Sequence, residues 1–401
     1  MIRPHQTTTD SKSVSSLVLV ASGLVLAALP LFMVGGLAVQ IRADLGFSES
    51  ALGAALTTGF VVGAVSAPFG GRLADRVGHR TALYLGTSLS GLSLLGLGVF
   101  TDSLVRLVAF LSVAGLAVAI TDPGLAILVD SSITREKHGL AFGLKEASIP
   151  AATLAAGAAV PAIALTAGWR WAFMVGLIPL TIVIALLSRI PATAKSDEEP
   201  EHRTKAAASS PTAPSRAIVL TAVAAALGTT AASGVGVFLT ESAVAMGVSP
   251  GAAGILLAVG SVAGIITRIA TGVSADRSGR ARFRVIAAML AIGAVTIALG
   301  GSGNNVLLII GTVGAFSGGW GWTGLYFLSL LRASPSNPGA VSGIGTAGLG
   351  VGNAAGPILF GIAAESISFQ AAWLGAGVVA AVGAVLMLVA RRSMELSGEP
   401  S

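Results

Sequence analysis

Apolar residues run along this chain in long uninterrupted stretches, and the polar residues gather in the short gaps between them. Twelve stretches come close to, or exceed, the ~20 residues an α-helix needs to cross a hydrocarbon core about 30 Å thick. They cover residues 17–41, 51–70, 81–100, 104–129, 140–167, 171–187, 217–240, 251–271, 283–300, 306–331, 340–364 and 371–390. They do not alternate, and they are about twice the length of a barrel strand. Lipid offers the backbone no hydrogen-bond partners, so each stretch must satisfy its own as a helix. The pattern predicts an all-α membrane protein with twelve transmembrane helices.

Composition agrees with that pattern. Of 401 residues 54% are hydrophobic and 10% charged, where a soluble domain has about a quarter charged, and the mean hydropathy is +0.86. The charges also orient the helices. With the N-terminus inside, the inner face receives Arg3, Lys12, Arg72, Arg76, Arg80, Arg135, Lys137, Arg277, Arg280, Arg282, Arg284, Arg332, Arg391 and Arg392. The outer face receives only Arg42, Arg106 and Arg170. This asymmetry predicts a multi-pass protein of the cell membrane, the lipid bilayer its surroundings and both termini cytoplasmic. It also accounts for the net charge of +6, and with no basic domain or interleaved aromatics it argues against a nucleic-acid partner. The first stretch is longer than a signal-peptide core and reads as a retained helix.

No cysteine is present, and His5, His79, His138 and His202 have no ligand spacing. No phosphate loop or nucleophile constellation accompanies them. The expectation is a protein that is not an enzyme and carries no metal or cofactor.

The longest soluble segment, 189–216, is rich in Pro, Ser, Ala and mixed charge, and reads as a flexible linker between units 1–188 and 217–401. The two units repeat one another. "GRLADRVGHR" (71–80) aligns with "GVSADRSGRAR" (272–282), "DLGFSESALG" (44–53) with "AMGVSPGAAG" (245–254), and "DPGLAIL" (122–128) with "WTGLYFL" (322–328), in the same order and at nearly the same spacing.

These motifs resemble the major facilitator superfamily of secondary transporters over the whole chain. The family's G-x-L-A-D-R-x-G-R-R loop reads "GRLADRVGHR" here, with His79 where an arginine is usual. The resemblance implies two pseudo-symmetric six-helix bundles around a central cavity, rocking between states open to either side. It makes Gly71, Asp75, Arg76, Gly78 and Arg80, with Gly272, Asp276, Arg277, Gly279 and Arg280, the conformational switch. Chemistry supports that role: Asp75 lies at a helix end beside Arg76 and Arg80, and the glycines allow close helix approach. The competing reading is that these charges only orient a solvated loop. Two exporter elements are missing. Leu111 rather than arginine stands four residues before Gly115, and the fifth span has Gly157 and Pro161 but no Gly-Pro pair. A lookalike through Gly352, Gly356, Pro357 and Gly361 suits helix packing.

The candidate chemistry lies in a few polar residues within apolar spans, where ionisable groups are costly and face the bundle interior. Lys145 and Glu146, in "FGLKEASIP", sit about two turns into the fifth span, roughly 10 Å deep. Glu146 stands about 200° from Leu144 around the helix and points inward. Asp122 in the fourth span lies at matching depth, so an Asp122–Lys145 ion pair is expected; the competing reading has Lys145 snorkelling to the headgroups. Arg268 either lines the cavity or snorkels. Trp320, Trp322 and Tyr326 in the tenth span offer a wall for an organic solute or packing against glycine. Gln40 and Glu241 are expected in solvated loops, and Asn304–Asn305 in a turn.

These features predict a monomeric secondary transporter of a small-molecule substrate, a small organic solute, with Lys145 and Arg268 favouring an anion and the proton as coupling ion. "FGLKEASIP" and "GWGWTGL" resemble stretches of cyanate-transporter-like and related small-solute branches. The alternative is proton-driven efflux of hydrophobic drug-like compounds or antibiotics. A non-transporting receptor or scaffold would show no flux at all.

Overall fold

The computed structural model describes residues 6–132, 138–189, 215–278, 282–334 and 338–396. It contains no strand among them. The helices are α1 (Gln6–Gly36), α2 (Ala38–Leu45), α3 (Glu49–Val77), α4 (His79–Val99), α5 (Leu104–Ser132), α6 (His138–Ala159), α7 (Trp169–Val175) and α8 (Ile178–Arg189). After the linker come α9 (Arg216–Ala245), α10 (Pro250–Ser278), α11 (Phe283–Gly300), α12 (Asn305–Gly314), α13 (Thr323–Ala333), α14 (Pro338–Ser366) and α15 (Phe369–Leu396). Twelve helical stretches among the described residues are long and apolar enough to cross a membrane. An even number of crossings leaves the start of α1 and the end of α15 on one face, the terminal face; Arg42 and Glu241 mark the far face.

Four stretches expected as continuous helices are interrupted. The first breaks at Leu37, between α1 and α2. In the fifth, α6 passes into a π-helical turn at Val160–Ala164, where Pro161 cannot donate a helix bond. The sixth is split between α7 and α8 at Gly176–Leu177. The tenth breaks most sharply: α12 ends at Gly314, a π-helical turn follows at Ala315–Gly319, and α13 starts only at Thr323. Its "SGGWG" run lets α11 press in, since a Cβ on Gly293 would lie 2.5 Å from the Gly319 nitrogen. The turn expected at Asn304–Asn305 is instead a helix start: Asn304 is extended and caps α12 by accepting from Val306 N and Leu307 N, and Asn305 is the first residue of that helix.

Small residues set the two seams between the first six spans and the last six. Along α6 and α10, a Cβ on Gly157 would meet the Gly254 carbonyl oxygen at 2.5 Å, and one on Gly254 would meet that of Gly157 at 2.6 Å. Deeper in, Thr153 Oγ1 and Ser261 Oγ share a hydrogen bond of 2.7 Å. Along α3 and α14, Thr57 donates to the Ala354 carbonyl at 2.7 Å, and Gly53 lies against the Pro357 carbonyl. Towards the terminal face Val65 and Phe69 of α3 and Val351 of α14 are exposed.

The far face corrects one expectation. Glu241 is not in a solvated loop; it is 6% exposed. The break at Leu37 turns α2 so that Arg42 reaches across to the Glu241 carboxylate, while also pairing with Glu49 at 2.8 Å and donating Nε to the Phe47 carbonyl at 2.8 Å. A cavity of about 350 Å³, lined by Val39, Arg42, Glu49, Glu241, Val244 and Phe369, opens beside them. Gln40 is partly buried.

Candidate functional site

The site is built where α5, α6, α10 and the break before α13 meet. Lys145 and Glu146 are both 6% exposed on the inner side of α6. Lys145 Nζ lies 2.6 Å from Asp122 Oδ1 on α5 and 3.6 Å from Glu146 Oε1. The ammonium is therefore shared by two carboxylates and does not snorkel. The side chain of Asp122 is 38% exposed, against 8% for Lys145, so Asp122 is the most accessible member of the cluster. The helix α5 continues through Pro123 beside it.

The second half of the chain closes the cluster from the other side. Thr323, the first residue of α13, donates its hydroxyl to Glu146 Oε2 at 3.1 Å, so the break in the tenth span brings a hydroxyl donor to this carboxylate. Arg268 on α10 is 1% exposed. Its Nε and Nη2 donate to the Trp320 carbonyl oxygen at 3.3 and 3.0 Å, and its Nη1 donates to the Glu146 carbonyl oxygen. It neither snorkels nor pairs with a carboxylate in those contacts. Its guanidinium also lies 5.4 Å from the centroid of the Trp320 ring.

The structure divides the three aromatics named from sequence. Trp320 faces the seam, 5.7 Å from Phe32 of α1 and 5.9 Å from Phe316, and Phe32 continues to Phe60 of α3 at 6.0 Å. Trp322 and Tyr326 stand apart, both fully buried in a second core to which α9, α10, α11, α13, α14 and α15 contribute. Trp322 Nε1 donates to the Gly319 carbonyl at 2.7 Å, satisfying an acceptor within the break, and its ring meets Tyr326 edge-on at 5.8 Å.

The described residues expected from sequence to form the switch lie on the terminal face. Gly78 takes φ 82° between α3 and α4, and its N–H closes α3 on the Ala74 carbonyl at 3.0 Å. Asp75 and Arg76 are exposed, and the Arg80 guanidinium lies 5.8 Å from the Tyr84 ring centroid. His79, in place of the family's arginine, turns inward and is 6% exposed. In the second copy Gly272 packs against Gly143 and Arg277 is exposed at the end of α10. Asp276 lies on the last turns of α10, and Gly279 and Arg280 fall outside the described residues.

The sequence model of the Major Facilitator Superfamily matches residues 20–240 and, a second time, residues 218–400. The chain belongs to the Major Facilitator Superfamily. No curated protein sequence matches it. Members of the superfamily are secondary transporters of small solutes, not enzymes, so this chain is a multi-pass membrane transporter. Sequence reading missed two parts of this superfamily member's site. Thr323 gave no signal except its place just after a glycine-rich run. Pro150, four residues after Glu146, was legible as a donor missing from α6, and Arg268 was named as a candidate, but its bond to the Glu146 carbonyl was not foreseen.

Proposed function

We propose that the protein carries a small organic anion by proton-coupled alternating access, its two six-helix halves, 1–188 and 217–401, rocking about the α6–α10 and α3–α14 seams. The linker 189–216 joins them. The observation that carries the reading is the sharing of Lys145 between Asp122 and Glu146 at the seam. A buried cation held by two carboxylates has one counter-charge to release. Counted with the buried Arg268 beside Glu146, the site holds two cations against two carboxylates, so a proton on Asp122 or Glu146 leaves one positive charge that an anionic solute at Lys145 balances, and proton and anion enter together. Asp122, the more exposed carboxylate, is the first proton acceptor in this scheme, and Lys145 is the solute-binding cation. Trp320 with Phe32 and Phe60 forms the apolar wall, and Trp322 and Tyr326 support it from behind. Asp75, Arg76 and Arg80, with Asp276, Arg277 and Arg280, act as the switch on a cytoplasmic terminal face of the cell membrane. The unit that works is the monomer.

The aromatic run Phe60–Phe32–Trp320–Phe316 favours a second reading, proton-driven efflux of hydrophobic compounds. One experiment separates the two. The purified protein is reconstituted in liposomes with an imposed pH gradient and offered radiolabelled small anions, from cyanate to short carboxylates, beside a hydrophobic cationic dye. Anion accumulation that follows the proton gradient and is lost in Lys145→Met supports the first reading. Dye movement against the gradient without anion uptake supports the second, and no gradient-dependent flux of either kind overturns both.

A further inference from the structure

Two carbonyl oxygens at the site have lost their helical donors, and one side chain takes both. In an α-helix the carbonyl of Glu146 accepts from the N–H four residues on, and that residue is Pro150, which has none. The carbonyl of Trp320 lies in the turn between the π-helical segment and α13. A buried acceptor without a donor is costly. Arg268 anchors its Nε and Nη2 on Trp320, within its own half, and extends Nη1 across the seam to Glu146. Its planar fork can serve two acceptors at once where a lysine ammonium is a single point.

We propose that Arg268 is a positioning residue, a brace between the halves whose bond exists because Pro150 leaves the Glu146 carbonyl free. The brace holds the backbone of the residue that neighbours Lys145 against the Trp320 turn, and so fixes the register of the two halves in the observed conformation. The bond must open when α6 and α10 separate, and its loss shifts the balance towards the other conformation. This rests on the rocking of the halves but on no particular solute.

The two effects of the brace come apart under mutation. Arg268→Lys orphans the Glu146 carbonyl and cuts the tie, so it lowers the melting temperature and also shifts the conformer balance. Pro150→Ala returns a helical N–H to that carbonyl, so it leaves the melting temperature at or above the parent's yet also weakens the tie. In the double variant the melting temperature recovers from the value of Arg268→Lys, while the conformer balance stays shifted. The chain has no cysteine, so spin labels can be placed on cysteines at Val105 and Val306. These are far-face positions on opposite halves, exposed by 77% and 64%. Pulsed electron spin resonance on the solute-free protein then reads the balance as two distance populations. The expected result is a rise of about tenfold in the minor population in all three variants, the size of one hydrogen bond to a charged group. Should Arg268→Lys fail to fold, Pro150→Ala alone decides. A distance distribution unchanged in Pro150→Ala overturns the brace, as does a double variant that melts no higher than Arg268→Lys. Transport assays enter nowhere, so a wrong solute leaves this result standing.

Discussion

At the scale of single residues, the ion pair between Lys145 and Asp122 carries the largest expected energies. Stranding a buried charge such as Lys145 costs up to about 3–5 kcal/mol, and stranding the 38%-exposed Asp122 costs less because solvent screens it. Lys145 has Glu146 as a second partner at 3.6 Å, so Asp122→Asn should cost less than Lys145→Met, which strands two carboxylates. The double variant should recover part of the stability lost in Lys145→Met, since Glu146 stays buried without its cation, and melting of the purified variants measures this. Additive losses would show that the two residues do not interact. This pair was legible in the sequence because counting residues from each helix end put both at one depth. A second ion pair behaves differently. Asp44, in the far-face segment after α1, accepts from Arg170 at 2.5 Å and from Trp169 at 3.1 Å. The Arg170 hydrogen bond first, and then that of Trp169, holds its carboxyl below the ordinary 3.8. A lowered value in the folded state means stability present above pH 3.8 and lost as the pH falls further. The pair is half exposed, so Asp44→Asn should cost under about 1 kcal/mol at neutral pH. The difference between Asp44→Asn and parent in urea titrations should shrink as the pH falls below the ordinary 3.8.

The elements of the fold were more legible in position than in continuity. Twelve apolar stretches gave twelve spans because bilayer thickness fixes helix length. Their breaks did not show, because π-helical turns and non-helical turns in lipid contain the same Gly, Ala and aromatic residues as the helices around them. The tenth span illustrates this: "AFSGGWGW" reads as apolar helix, and only the packing of Gly293 and the bonds from Arg268 and Trp322 make its interruption tolerable. The α6–α10 seam was similarly hidden, since small residues announce close packing without naming the partner. Its geometry makes a specific prediction. Gly157→Val puts a side chain where a Cβ already meets a backbone oxygen at 2.5 Å, so α6 must move off α10. The cost expected from such overpacking is about 1–3 kcal/mol. On α15 a Cβ on Gly375 meets nothing within 4 Å, so Gly375→Ala gains up to about 1 kcal/mol of helix propensity. Parallel thermal melts should therefore move in opposite directions, and a Gly157→Val protein as stable as the parent would show that the seam is loose.

For the whole molecule, the question is what holds the observed conformation. On the far face Arg42 ties the first half to Glu241 of the second, Thr240 donates to the Gly35 carbonyl at 3.2 Å, and Ser50 N donates to Glu365 at 2.9 Å. Towards the terminal face α3 and α14 expose Val65, Phe69 and Val351. These three ties join the halves at the far face, beyond the Thr153–Ser261, Thr57–Ala354 and Arg268–Glu146 contacts deeper in the seams. Sequence reading assigned the switching contact to the loop of Asp75 and left Glu241 to solvent, because the tilt of α2 that brings Arg42 to it follows from a break with no sequence signature. Arg42 is shared: Glu49 competes for it from the same half at 2.8 Å. If the tie is lost, Arg42 keeps Glu49, whereas Glu241 stays buried without a cation. Glu241→Gln removes that penalty along with the tie and leaves only a weaker hydrogen bond to hold the face. Inverting a 1:99 population needs about 5.5 kcal/mol, and a charge-assisted hydrogen bond contributes about 1.5–3 kcal/mol. Loss of the tie should thus raise the far-face-open fraction by roughly 10- to 100-fold without inverting the balance. A cysteine replacing Ala245, at the rim of the far-face cavity, reports this in a chain that has no other thiol. Its labelling by a membrane-impermeant maleimide should accelerate by that factor in Glu241→Gln and much less in Glu49→Gln, since Glu49 ties Arg42 only to its own half. Equal acceleration in both variants would place the latch elsewhere, in the Thr240 and Ser50 contacts that neither substitution touches.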